Sequence, residues 1–278
     1  MRKPIWWVVG AVIVVCAAAI VYSWRASRPA HHAAVQASLP KPPPPAPAAP
    51  AVQNPVPANG APAAQPLPTL GDSDGPVRDA LAALIGQAAT QRLIRPDMIV
   101  RHIVVTVDNL SRKHASVDLR PVRPVPGQFA VQGDDQHATL DPSNYQRYTP
   151  YMVVLQMLDM KQLAALYFHF YPLFQQAYQN LGYPNGYFND RLVETIDNLL
   201  ETPDEQGPIS LVRPNVMYQY ADPMLENLSA GQKVLVRMGP QNEAIIKAKL
   251  KELRAAVADR TRGADANRTR DPGGSGGG

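Results

Sequence analysis

Twenty consecutive residues, Ile5 to Trp24 (IWWVVGAVIVVCAAAIVYSW), carry no charge. A helix of that length spans the ~30 Å hydrocarbon core of a bilayer. Trp6 and Trp7 stand at one end of the run and Tyr22 and Trp24 at the other. Amphipathic rings settle at those boundaries. The pattern predicts a signal-anchor transmembrane helix over 1–24, with the lipid bilayer as its first partner. The competing reading is a cleaved signal peptide: Arg2 and Lys3, an apolar stretch, then Ala17-Ala18-Ala19 as the cut. The apolar run continues through Ile20, Val21 and Tyr22, past that cut, which favours the anchor. Val15 is too bulky for a lipobox ahead of Cys16. Arg2 and Lys3 before the span nearly balance Arg25 and Arg28 after it, so positive charge alone does not orient the helix.

The segment after the span tips the orientation. Residues 25–70 hold 13 Pro and 13 Ala, no aromatic residue and three charges. Such a segment buries too little apolar surface to offset its ordering entropy and reads as a disordered Pro/Ala-rich stalk. A stalk of this kind suits a head displayed outside the cytoplasm. No cysteine lies beyond residue 16, so an oxidising compartment finds no thiol there. His31-His32 reads as a solvated pair, because two imidazoles leave a zinc ion short of ligands.

The chain's +4 net charge misleads. Residues 71–278 hold 22 basic residues against all 23 acidic ones. The basic excess flanks the anchor, and the head has no broad positive field of the kind nucleic-acid binding needs. Nucleic acid is not expected as a partner.

Residues 71–260 read as one mostly helical globular domain with a small β element, and 261–278 as a disordered Gly-rich tail. Asp72-Ser73-Asp74 offers caps for a helix through VRDALAALIG. Pro96 suits the first turn of a second helix with Ile99, Ile103, Val107 and Leu110 on one side. The β-branched run IVVTV leaves a buried strand as its rival. Three prolines in six residues exclude a helix within 117–141, where Phe129–Val131 and Ala138–Leu140 flank Gly133-Asp134 as a hairpin. Leu163, Leu166, Tyr167, Phe170, Phe174, Ala177, Tyr178 and Leu181 form a helical stripe over 160–181. Pro172 should kink that helix, because its ring opposes the Phe168 carbonyl. Asn189 is read as the cap of a helix over 190–201. Residues 208–221 read as two short extended pieces. Pro223 opens a short helix, Ser229 caps another, and Gly239-Pro240 separates that one from a last helix over 240–259.

The motif search returns little chemistry. There is no G-x-S-x-G, H-E-x-x-H, P-loop or dinucleotide fingerprint. No cofactor is implied, and Gly231-Gln232-Lys233 is better read as a helix start than as a phosphate loop. His102, His114, His137 and His169 do not assemble a recognised ligand set, so no metal is implied. Asp190, Glu194, Asp197 and Glu201 recur at spacings of 4, 3 and 4 along one helix side. Three readings stand for that row: a solvated face, pairing with Lys247, Lys251 and Arg254 of the last helix, or a cation or acid/base site. Tyrosine and phenylalanine are dense over 145–188, where Tyr145, Tyr148, Tyr151, Tyr183 and Tyr187 are not obviously core. Tyrosine suits sugar, peptide or protein surfaces.

TVDNL (106–110), DPSNYQRYTPY (141–151), LGYPNGYFNDR (181–191), YADPMLENLSAGQK (220–233) and LVRMGPQN (235–242) together resemble the bacterial membrane-anchored family called domain of unknown function 3014. The resemblance spans most of 68–258. It implies a bacterial envelope protein and carries over no catalytic residue; with the anchor and the stalk, the expected placement is the bacterial inner membrane, single-pass, with the C-terminal domain periplasmic. It makes Asn144, Tyr145, Arg147, Tyr148, Asn189, Asp190 and Arg191 the candidate binding positions. The expected function is a non-enzymatic binding or scaffold module whose partner is another envelope protein or a cell-wall component. The alternative is a hydrolase or transferase acting on envelope material through Asp190 and Glu194. A third idea is an assembly subunit whose apolar face another protein covers.

Overall fold

Gly86 and Pro96 divide the start of the head. In the computed structural model, which describes residues 51–56, 66–116, 118–134 and 137–258, α1 runs Asp74–Ile85 and α2 runs Gln87–Leu93. Then α3 spans Ile99–Leu110, so the IVVTV run is a helix. Pro96 lies outside it rather than in its first turn, and the separate helix α2 has no counterpart in the sequence reading. Asp74 closes the arrangement. Its carboxylate accepts from the Met98 and Ile99 amides at 2.7 and 2.8 Å. Those are orphan donors of the α3 start, capped from a distant element. Met98 itself sits at φ 49°, in the left-handed region.

The predicted anchor over 1–24, most of the stalk and the Gly-rich tail lie outside the described residues. Among the described residues no helix is long and apolar enough to cross a membrane. Residues 51–56 and 66–70, within the predicted stalk, lie against the head: Val56 packs on one core cluster, and Leu67 and Leu70 on another.

The proline-rich stretch is irregular apart from a two-residue hairpin, with β1 (Val131–Gln132) antiparallel to β2 (Thr139–Leu140). Short helices α4 (Ser143–Gln146) and α5 (Thr149–Met157) come after it. The long stripe over 160–181 is not one kinked helix. It breaks at Phe170 into α6 (Met160–His169) and α7 (Tyr171–Asn180). Pro172 sits in the first turn of α7, where its missing N–H leaves no bond unmade. Next come α8 (Phe188–Leu200), β3 (Leu211–Val212) and β4 (Gln219–Tyr220). The last helices are α9 (Pro223–Glu226), α10 (Ala230–Met238) and α11 (Pro240–Ala258). Ser229 caps α10 in a full capping box with Gln232.

The head is therefore mainly helical with small antiparallel sheets. A bridge between Thr139 and Ser210 ties one hairpin to the other, which matters because an isolated two-residue pair is marginal in water. The main core lies between α1, α3 and α7, where Ile99, Val100 and Val104 are at most 1% exposed. A second cluster joins α6, α8 and α11 through Ala164, Phe168, Val193, Ile196 and Val257. Helix α8 packs on both α3 and α11, and so carries its candidate residues at the junction of the two clusters.

Candidate functional site

Helix α8 is amphipathic. Val193, Ile196 and Leu199 face the interior, while Asp190, Glu194, Asp197 and Glu201 line another side. Its start is placed by Gln175, whose Oε1 accepts from the Phe188 amide at 2.9 Å and whose Nε2 donates to the Gly186 carbonyl at 2.7 Å. Thr195 Oγ1 donates to the Val107 carbonyl at 3.0 Å and holds α8 on α3.

Asn189 does not cap this helix. It lies inside the first turn and is completely buried. Its Oδ1 accepts from the Tyr167 hydroxyl at 3.0 Å. Its Nδ2 donates to the Asn54 carbonyl at 2.9 Å and to the Val257 carbonyl at 3.3 Å. Burial, with a smaller contribution from Tyr171 and Asp190, pushes the Tyr167 hydroxyl well above the usual tyrosine range, so it stays a donor. Neighbouring Tyr171 is pushed up to about 12, again chiefly by burial. Asp190 accepts from the Gln53 amide (3.1 Å), the Asn54 amide (2.6 Å) and Asn54 Nδ2 (3.1 Å).

Arg191 turns the other way. Its Nε lies 3.1 Å from Asp108 Oδ1, its Nη2 donates to the Asp108 carbonyl at 2.5 Å, and its Nη1 lies 2.9 Å from Glu194. Asp108 is only 5% exposed and also receives Arg112 Nη2 at 2.9 Å and the Tyr183 hydroxyl at 3.3 Å. The hydrogen bond to Asp108 raises the Arg112 pKa, helped by the carboxylate's charge. Two guanidinium groups thus converge on one nearly buried carboxylate, the charge-assisted arrangement in which arginine forks are strongest.

Between these groups lies a cleft of about 630 Å³, lined by Gln53, Asn54, Arg112, Asp190, Arg191, Glu194, Asp197 and Glu201 among others. The acidic row is resolved residue by residue. Asp190 faces residues 53–54, Glu194 pairs with Arg191, and Asp197 pairs with Arg254, one contact being 3.0 Å. The basic row of α11 meets the acidic row through Arg254. Lys247 instead binds Asp204 (2.6 Å) and Glu243 (2.7 Å). Among the described residues no group of three or more His, Cys, Asp or Glu is placed to hold a metal ion.

The other four candidates sit apart, around α4. Asn144 is 1% exposed. Its Oδ1 accepts from the Ala130 amide (3.0 Å) and its Nδ2 donates to the Ala130 and Asp141 carbonyls (2.7 Å each). Arg147 donates to the Pro126 and Gly127 carbonyls at 2.8 and 2.9 Å. The ring of Tyr145 lies over Gly239, where a methyl group would come within 2.6 Å of it. Burial raises the Tyr148 pKa, and Arg147, Arg237 and Arg120 offset part of that. These side chains fasten the proline-rich loop to the helical body. The α8 start, by contrast, directs its polar atoms into a cleft.

Sequence reasoning missed Asp108, Arg112, Tyr167, Gln53 and Asn54. Asp108 stands in the TVDNL motif, which was the available signal. Nothing local marks Gln53 or Asn54.

A family model described as "Protein of unknown function (DUF3014)" matches residues 99–254. No curated protein and no solved structure matches the chain.

Proposed function

The chain belongs to the DUF3014 family of proteins of unknown function, and we propose from that premise that it is a non-enzymatic binding or scaffold module of the bacterial envelope. The reading has the head held off the inner membrane, on its periplasmic side, by an anchor over 1–24 and a Pro/Ala-rich tether. Its partner is an envelope protein or a cell-wall component, taken up at the α8 cleft. The uncharged run Ile5–Trp24 and the composition of 25–70 support the placement. The observation that carries the binding role is what Asp190 and Glu194 do. Asp190 accepts main-chain amides and Glu194 lies against Arg191. These are the bonds of recognition. Both oxygens of Asp190 are taken up by residues 53–54, which disfavours it for proton transfer, and Glu194 engages Arg191 through one oxygen.

A photo-crosslinking residue at position 194, half-way along the cleft and exposed, tests this in cells carrying the full chain. Capture of an envelope protein or of cell-wall material is expected. Loss of a measurable turnover in an Asp190→Asn, Glu194→Gln double variant that still folds would reverse the reading in favour of a hydrolase or transferase. Protease treatment of intact spheroplasts tests the placement: a head that resists digestion refutes it.

A further inference from the structure

Residues 51–56 (AVQNPV) lie on the head with a two-residue alternation. Val52, Asn54 and Val56 are half-buried, and Ala51, Gln53 and Pro55 are exposed. The chain bends at Gln53 and Asn54, which turns their two successive amides toward one carboxylate. Val56 packs into the cluster of Ala164, Phe168, Val193, Ile196 and Val257. Four hydrogen bonds fix the middle of the segment. Asp190 takes two successive main-chain amides and the Asn54 side chain, and Asn189 donates to the Asn54 carbonyl. The next residue, Pro55, has no N–H to leave stranded, and its ring fixes φ just after the bend.

The head supplies the fixed half of this arrangement. Asn189 is wholly buried, and the Tyr167 hydroxyl bonded to its Oδ1 orients its amide toward the segment. Three of the four bonds involve main-chain atoms, which any peptide that makes the same bend offers. Asn54 Nδ2 and Val56 are the side chains that are read. The labour divides as in other peptide captures: backbone bonds for hold, side-chain contacts for choice. We propose that Tyr167, Asn189, Asp190 and the apolar cluster of Val193 and Val257 form a peptide-binding site for segments of the pattern Val-x-Asn-Pro-Val that bend at x-Asn, and that residues 51–56 are its resident, displaceable ligand.

The proposal deepens the binding reading given above, on which it rests, by naming the class of ligand and a built-in competitor. Gln53 and Asn54 form one wall of the α8 cleft, so displacement of the segment joins the cradle and the cleft into a continuous groove. A peptide arriving from another molecule has to compete with a segment tethered to the same chain, present at an effective concentration on the order of a millimolar.

The test uses the full-length chain and a fluorescein-labelled peptide PAVQNPVP, followed by anisotropy. Asn54→Gly weakens the resident segment and leaves the cradle intact. The N54G chain should bind the peptide at least about tenfold more tightly than the wild type. Adding Asp190→Ala should remove that binding, with Asp190→Asn as a milder second variant, and a peptide carrying Gly in place of Asn should not bind. Hydrogen exchange at the Gln53 and Asn54 amides should be at least about tenfold faster in D190A than in wild type. Equal peptide binding by N54G and wild type, no binding by N54G, or unchanged exchange in D190A would overturn the proposal. So would a wild-type dimer that N54G converts to monomer, since the segment would then belong to a second copy. The peptide arm reads the cradle whether or not position 194 captures an envelope component, so either reading can fail alone.

Discussion

Replacing Gly231 with alanine sets two effects of opposite sign against each other. Gly231 occupies the first turn of α10, has no positive φ, and on helix preference alone should gain roughly 0.5–1 kcal/mol from a methyl group. The structure argues the reverse. The new methyl carbon would fall 2.4 Å from Leu199 Cδ2, 3.0 Å from the Leu110 carbonyl oxygen and 3.2 Å from Leu110 Cβ. Leu199 is a side-chain tip and can swing. The Leu110 carbonyl belongs to the end of α3 and cannot move without shifting that helix. Overpacking of this kind costs about 1–3 kcal/mol, so the net loss should be about 1–2 kcal/mol. In a head of this size that lowers Tm by roughly 2–8 °C. Thermal unfolding followed by circular dichroism measures it directly. A double-mutant cycle with Leu199→Ala should show coupling of at least about 0.5 kcal/mol, because the shorter side chain relieves the closest contact. An unchanged or higher Tm for G231A would show that α10 does not pack against α3 and α8 as closely as described, and the close-approach account of this glycine would fall.

Three further outcomes rest on single contacts. Burial opposes ionisation of Glu226, but Lys233 at 2.9 Å and the Tyr220 amide at 3.0 Å outweigh it and hold its pKa low. Its stabilising contribution is therefore complete above the unfolded value of about 4.3 and disappears as pH falls through the folded one. The gap in urea midpoint between wild type and Glu226→Gln should close on acidification below about pH 4, and a gap that stays constant from pH 7 to pH 3 contradicts this. Burial raises the Glu243 pKa, and Lys247 at 2.7 Å partly offsets it. Lys247→Met strands that carboxylate and should cost about 3 kcal/mol at pH 7 and less at pH 5, where protonation relieves it; urea titrations at the two pH values compare them. Asn144→Ala removes bonds to both main-chain groups of Ala130 and should cost roughly 2 kcal/mol, with exchange at the Ala130 amide accelerating while the α3 amides stay protected.

Helices were legible where apolar residues recur at 3 or 4 along an uninterrupted run and where caps stand at the ends. Ser229 announced the start of α10, and Gly239-Pro240 its end. The first hairpin was legible from Gly133-Asp134 between short apolar pieces, and the strands of the second as two extended pieces around Pro214-Asn215. The break at Phe170 was legible only as a kink: the stripe runs through it unbroken, but Pro172 cannot bond back to the Phe168 carbonyl and instead starts α7. Of the site, Asn189, Asp190 and Arg191 were visible as a triplet in a motif. Their roles were not: Asn189 read as a cap, and the structure makes it a buried carboxamide shared between Tyr167, Val257 and Asn54.

Periodicity and turn chemistry are local, and they pointed to the mainly helical class, several helix ends, one hairpin and two further extended pieces before any contact was known. The pairings were decided only when the chain closed on itself. Asp108 meets Arg191 across 83 positions, Asp190 meets Asn54 across 136, and Asp74 caps a helix that begins 25 residues later. A carboxylate's neighbours at such separations depend on how α3, α8 and α11 pack, and packing follows from the sum of many buried side chains rather than from any short stretch of residues.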